Sequence, residues 1–419
     1  MVVEVCERRA ASCPPRHVLR VTVSGHPLPD ANPSTRRPSP SRSRAYDDQV
    51  PSDPIRRRAV YLHIGPPKTG TTYLQSVLWR NRAVLRDRGL TVPGDTPSTH
   101  FHAALDLRGI RFGGHDHPEV PGAWGRLVTS IATADTPAVL VSHEVLGGAN
   151  AVEIARVAAD LADHEVHVVC GARDLARQLP AVWQETLKNR RSSRFDSFVT
   201  RALRARPDGR PARGFWRAQD LTAMLARWSA AVPAERVHVV TLPPGGAPAD
   251  TLWRRFCAAV GVDPRGCDLD VGRANVSLNA EDAAVLRRLN ELLPADLPWP
   301  AYDHLVKRRF RRLAADHHGT GTPVRVPSEH ADAVAALAAE IQHGLGAAGY
   351  DVVGDLAELT PSPDAYAVEG SIADAKVSEA EVEALAREIV RKARRDPGSR
   401  PAAARRLLAQ FGRGSSRRR

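Results

Sequence analysis

The sequence predicts a three-layer α/β fold, with a central parallel β-sheet flanked by helices. Short, near-continuously apolar runs recur along the chain, and amphipathic helical patterns separate them. The length, 419 residues, is enough to bury a sizeable core.

Order is expected to begin at Ala59, where AVYLHI runs into the loop GPPKTG and forms the first strand. Similar runs follow at 138–142 (AVLVS), 166–170 (VHVVC) and 237–242 (VHVVTL). Their lack of alternation predicts strands buried on both faces, as in a parallel sheet. Helices are predicted over 71–87, 150–164 with Asn150 as N-cap, 175–189, and 221–232 after Asp220. Two more extend the domain, 280–293 after Asn279 and 329–345 after Ser328. Strand, helix and strand in repetition give right-handed crossovers.

The ends differ in composition. Residues 1–56 are rich in Pro, Ser and Arg and poor in large apolar groups, so they are expected to be disordered. The α/β domain is expected over 57–360. Beyond it, in 361–419, Ser378 and Glu381 form a capping-box pattern that opens an amphipathic stretch, with Val382, Leu385 and Ile389 on one face. Such a helix packs on the domain or binds a partner, and a basic tail follows it.

The net charge is +12, but residues 1–58 carry +5 and residues 391–419 carry +10, which leaves the body near −3. A slightly acidic body argues against a groove that tracks nucleic-acid phosphates. The tails are expected to touch polyanions only weakly and without specificity. No apolar run approaches the roughly 20 residues that span a bilayer. The first residues lack the apolar core of a secretory signal, so a cytoplasmic location is expected. The five cysteines lack paired spacing and the sixteen histidines form no H-E-x-x-H pattern; reduced thiols and no metal are expected.

The most informative segment is His63-Ile64-Gly65-Pro66-Pro67-Lys68-Thr69-Gly70-Thr71-Thr72-Tyr73-Leu74-Gln75. A buried strand that enters a glycine-bounded loop and then a helix aims backbone N–H groups and a helix N-terminus at one point, where an anion fits. Gly65 and Gly70 have the G-x-x-x-x-G spacing of a nucleotide-binding P-loop, yet Thr71 stands where its lysine would follow. The lysine lies inside the loop, at Lys68. A triphosphatase also needs a Mg²⁺-binding aspartate at a strand end, and AVLVS, VHVVC and VHVVTL supply none. Lys68 is placed to neutralise a bridging leaving-group oxygen without a metal.

The PKTGTT segment, after a strand and before a helix, resembles the 5′-phosphosulfate loop of sulfotransferases that use 3′-phosphoadenosine 5′-phosphosulfate (PAPS), bacterial members included. The resemblance covers roughly residues 57–350 and implies a three-layer P-loop fold that moves the sulfuryl group of PAPS to a hydroxyl, or an amine, of a carbohydrate, glycolipid or small-molecule acceptor. It implies that Lys68 stabilises the departing 3′,5′-bisphosphate, and that Thr69, Gly70, Thr71 and Thr72 cradle the phosphosulfate. It also implies a 3′-phosphate-binding arginine after a strand, which matches Arg173 in VHVVC-Gly171-Ala172-Arg173-Asp174. The serine found eight residues later in many relatives is Ala181 here, so Arg177 or a group in 273–277 is left to complete the contact.

Transfer needs a base for the acceptor's proton. Ser142-His143-Glu144 ends the AVLVS strand on the ligand side of a parallel sheet. Relatives carry a histidine or a glutamate in this segment, which implies Glu144 or His143, with Glu144 favoured because bacterial relatives often show Ser-x-Glu. His100 and His102 belong to a stretch that often lines the acceptor pocket, although plain structural roles suit both. Trp183, Trp216 and Trp228 read as core. The competing readings are a P-loop nucleotide or small-molecule kinase and a non-catalytic binding module with basic tails.

Overall fold

The computed structural model describes residues 57–111, 117–204, 214–272, 276–317, 320–367 and 377–395. The N-terminal segment, the basic tail and the positions 273–275 lie outside them.

Among the described residues eight strands form: β1 Ala59–His63, β2 Leu90–Thr91, β3 Ala138–Ser142, β4 Glu165–Ala172, β5 Val237–Thr241, β6 Val326–Pro327, β7 Asp351–Val353 and β8 Tyr366–Ala367. Six of them build one sheet in the order β2-β3-β1-β4-β5-β7, and every pairing in it is parallel. A small parallel pair, β6 with β8, stands apart. The two faces of the sheet explain the continuous apolar runs. Val60, Leu62, Val139, Val141, Val168, Cys170 and Val239 belong to one core cluster. Their alternates Leu140, Val169 and Val240 belong to another, beneath Leu74, Val77, Trp253 and Phe256. Successive side chains point to opposite faces and each face meets helices, so the central strands are apolar over most of their length, with Tyr61, Glu165 and His167 only partly buried toward their amino ends.

The chain runs outward from β1 to β2 and β3 on one side, then returns to β4 and continues to β5 on the other. Connections thus leave β1 and β4, which are neighbours, in opposite directions. This opens a crevice at their carboxyl ends, where open α/β sheets bind ligands.

Local chemistry accounts for where the helices depart from the predicted bounds. The stretch 71–87 is two helices, Thr71–Arg80 and Arg82–Asp87, because Asn81 diverts the chain. Its amide donates to the Val77 carbonyl at 2.8 Å and to the Asp268 carbonyl at 2.8 Å, and accepts from the Asp268 N–H at 2.7 Å. Asn150 caps helix Ala151–Asp160 through a full capping box with Glu153, and Asp220 and Asn279 cap Leu221–Trp228 and Ala280–Leu292 as expected. Ser328 does not act as a cap. It begins a 3₁₀ turn, Ser328–His330, and the helix starts at Ala331. The helix Glu379–Arg395 sets Val382, Ala386, Ile389 and Ala393 into the main core and is tied to helix Ala280–Leu292 by Arg288 on Glu379, 2.8 Å apart. Trp183, Trp216 and Trp228 are core residues. No helix among the described residues is long and apolar enough to cross a membrane.

Candidate active site

The loop between β1 and helix Thr71–Arg80 is held from behind by its carbonyls. Gly65 O accepts from Gly171 N at 2.8 Å, Pro66 O from Thr69 Oγ1 at 2.7 Å, Pro67 O from Gln178 Nε2 at 2.8 Å, and Lys68 O from Arg173 Nη1 at 3.0 Å. These bonds come from β4, from the helix Leu175–Lys188 behind it, and from the loop itself, so the adjacent strand fixes the loop's shape. Gly70 precedes the helix at φ 78°, no side chain caps the helix, and no acidic residue stands in its first turn. A helix start of this kind presents donors and a partial positive charge without an internal acceptor.

Lys68 adopts φ 72°, a left-handed conformation that a side chain makes costly. Its ammonium reaches Glu185 Oε2 at 2.6 Å, across from helix Leu175–Lys188. Lys307 Nζ approaches the other oxygen of the same carboxylate at 3.5 Å. Burial would raise the Glu185 carboxyl, but Lys68, Lys307 and Lys188 together hold it below its usual range.

Of the predicted cradle residues, Thr69 is buried and turns its hydroxyl inward onto Pro66 O, with its side chain packed where a Cβ on Gly171 would stand. Thr69 thus braces the loop. Gly70 lies against Leu252, and a Cβ there would come within 2.6 Å of that side chain. Thr71 is buried at the helix start, and Thr72 is half-buried one residue on.

Arg173 follows β4 directly and is half-buried, and its buried Nε has no hydrogen-bond partner among the described residues. Burial first, and the nearby Arg177 charge second, lower its guanidinium to about 10, against the opposing pull of Asp174. Arg173 lines a cavity of about 630 Å³ together with Arg177, Ala181, Ser277, His317 and Arg325. Arg177 is committed to its surroundings, paired with Asp174 and donating to Pro243 O at 3.0 Å. Of the 273–277 alternatives, Arg273 lies outside the described residues, while Ser277 faces the cavity.

On the other side of β1, Glu144 opens the 3₁₀ turn Glu144–Gly148 after β3. An ideal Cβ on Gly65 would stand 3.0 Å from Glu144 Cβ, so this carboxylate residue abuts the loop's first glycine. Gln75 Nε2, one turn into the loop helix, donates to Glu144 Oε2 at 3.1 Å. His143 does a different job: its Nδ1 accepts from Val145 N at 3.2 Å, and its ring lies 4.9 Å from that of Phe101. Burial keeps the ring below its usual value, and the charge of Glu144 opposes this. A neutral ring that accepts at Nδ1 carries its proton on Nε2, which leaves no free lone pair to act as a base. His100 is buried, with Nε2 donating to Pro93 O at 2.9 Å and Nδ1 accepting from Ser142 N at 3.2 Å. His102 stacks on His117.

The structure therefore brings Lys68, Glu144 and Arg173 around one loop at the ends of three adjacent strands, β3, β1 and β4. Sequence reasoning missed Gln75, Gln178, Glu185, Lys307 and Arg325. Gln75 had a signal, since it falls four residues after Thr71 on the same helix face. The others come from distant segments without a motif. No metal-binding group of three or more His, Cys, Asp or Glu residues occurs among the described residues.

No protein-family model matches the sequence, and no curated protein matches it. Among solved structures, a sulfotransferase from Alicyclobacillus acidocaldarius is similar at 17% identity over 52% of this chain and 86% of that chain, with a TM-score of 0.33. A likeness of that size leaves the function to be argued from the residues themselves.

Proposed function

We propose that the protein is a sulfotransferase that moves the sulfuryl group of PAPS to an acceptor hydroxyl, or less readily to an amine. The observation that carries this reading is the placement of Lys68. It sits inside the anion-fitting loop at a left-handed φ, with its carbonyl bound by the arginine that follows the adjacent strand. A lysine so placed suits a leaving oxygen within the loop better than the outer phosphates of a metal-bound triphosphate.

PAPS supplies the reactive sulfuryl group, and the residues present fit it. The uncapped helix and loop suit its phosphosulfate, and Arg173, which lines a roomy cavity, suits a second phosphate. Lys68 neutralises the charge that develops on the bridging oxygen as its bond to sulfur breaks. Glu144, oriented by Gln75, takes the proton from the acceptor hydroxyl as the new S–O bond forms. His143 positions the turn that carries Glu144. The rest of the rate gain comes from orientation.

Incubating the purified protein with ³⁵S-labelled PAPS and a panel of hydroxyl and amine acceptors tests the reading. Transfer that requires Lys68 supports it. Phosphate transfer from Mg²⁺-ATP to the same panel would replace it with the kinase reading.

A further inference from the structure

Around the tip of Lys68 the structure gathers more positive charge than it balances. Glu185 receives Lys68 Nζ at 2.6 Å and Lys307 Nζ at 3.5 Å. Lys188, one turn beyond Glu185 on the same helix, lies within electrostatic reach of Lys68, Glu185, Lys307 and Arg311. Arg311 follows Lys307 by four residues, on the same side of continuous helix, and is exposed. Neither Lys188 nor Arg311 has an ion-pair partner among the described residues, and the one carboxylate of Glu185 faces three lysines, with Arg311 close to Lys188.

Such an arrangement is costly while it stands alone. Burial first, and the Lys68 charge second, pull the Lys188 amine down to about 8. Lys307 comes from a π-helical turn, Asp303–Lys307, where the widened helix presents it next to Asn189 Oδ1 at 3.0 Å and over the Trp299 ring. The same helix also carries the exposed Arg312, while Arg308 is paired with Asp303 at 3.0 Å. The cationic surface thus runs from the tip of Lys68 out to solvent.

The donor does not use this surface in the reading above, since the loop and the Arg173 cavity serve its two anionic ends. We infer that Lys188, Lys307 and Arg311 form an acceptor subsite, and that the acceptor carries carboxylate, sulfate or phosphate groups close to the hydroxyl that is modified. An anion there supplies the counter-charge that Lys188 lacks and that Lys307 shares with Lys68 through Glu185. A neutral acceptor leaves the cluster unbalanced. Arg311 selects acceptors long enough to present a second anionic group at the rim.

The word acceptor rests on the sulfotransferase reading, but the binding of the anion does not, and the test separates the two. The probes are hyaluronan hexasaccharide and its carboxyl-reduced, neutral counterpart, which differ only in charge. Each is titrated calorimetrically into the full-length protein saturated with 3′,5′-ADP. The charged probe is expected to bind at least tenfold more tightly than the neutral one. Lys307→Gln and Arg311→Gln should each reduce that preference at least threefold, and the exposed Arg311→Gln should leave 3′,5′-ADP affinity within twofold. Equal binding of the two probes overturns the subsite, as does a preference that survives both substitutions. Tighter, equally sensitive binding of a dT hexanucleotide overturns it in favour of a nucleic-acid surface. Failure of 3′,5′-ADP to bind at all, with the charge preference intact, leaves the anion site standing and removes the transferase reading instead.

Discussion

Lys68 Nζ and Glu185 Oε2 stand 2.6 Å apart, with the two side chains 23% and 32% exposed. The pair joins the loop after β1 to the helix after β4. It also means that an incoming anion competes with Glu185 for the ammonium. Glu185→Gln removes that competitor and is expected to tighten 3′,5′-ADP-type ligands about fivefold, which corresponds to roughly 1 kcal/mol of removed Coulombic competition at a partly exposed site. Titration calorimetry on the variant checks this; weakened binding would make Glu185 a brace for the loop instead.

Lys68→Ala is expected to lower turnover at least 100-fold, the scale of losing one preorganised charge at a leaving group. Lys68→Gly makes a sharper test. Glycine relieves a left-handed φ that costs a side chain roughly 1 kcal/mol, so this variant should be as inactive as Lys68→Ala and at least as stable as it. Thermal unfolding beside a turnover assay measures both, and a Gly variant less stable than the Ala variant would contradict the strain argument.

Arg173→Lys keeps the charge but cannot both hold the Lys68 carbonyl and fork onto a phosphate. The preference for 3′,5′-ADP over 5′-AMP should fall at least tenfold. If the ratio of the two dissociation constants is unchanged, Arg173 serves only the loop.

Glu144→Gln should cost turnover 100-fold or more. His143→Gln, which replaces a capping imidazole, should cost tenfold at most. Rate measurements between pH 5 and 8.5 on both variants decide the matter, and the reverse ranking would make His143 the base.

Burial lowers His63 to about 4, with the Glu144 charge opposing it and the His143 charge adding to it. Burial likewise lowers His100 to about 4, opposed chiefly by its bond to Pro93 O. Both fold as neutral rings, so below the ordinary value near 6.5 the unfolded chain takes up protons that the folded chain refuses. Stability is full above that value and falls as the pH drops toward 4, by on the order of 3 kcal/mol for each ring. Urea unfolding at pH 7.5 and 5.0 should show this loss, and His100→Gln should shrink it; an equal loss in wild type and variant would contradict the assignment for His100.

Much of the sheet was legible because a buried parallel strand leaves a plain trace: β3 falls on AVLVS, and the runs at 59, 166 and 237 mark β1, β4 and β5 within a few residues. The edge strands β2 and β7, two and three residues long, carry no such trace, since an edge position buries too little to demand a run of apolar side chains. The break at Asn81 was hidden because its cause, the Asp268 backbone, lies 187 residues away. Lys68 and Arg173 stood out because a loop and a strand end encode their positions locally. Glu185 and Lys307 did not, since only the fold brings the middle of one helix and a π-turn to the tip of Lys68. The bond from Val145 N–H to His143 Nδ1, on which the proposal of Glu144 as the base leans, is not recorded in the sequence.

Calorimetric titration of wild type and Lys68→Ala with 3′,5′-ADP, and with Mg²⁺-ATP, tests the central claim most directly. The account predicts micromolar, metal-independent binding of 3′,5′-ADP that exceeds Mg²⁺-ATP by at least tenfold in wild type and weakens in the variant. Mg²⁺-ATP binding more tightly than 3′,5′-ADP, with Lys68 required for it, would contradict it.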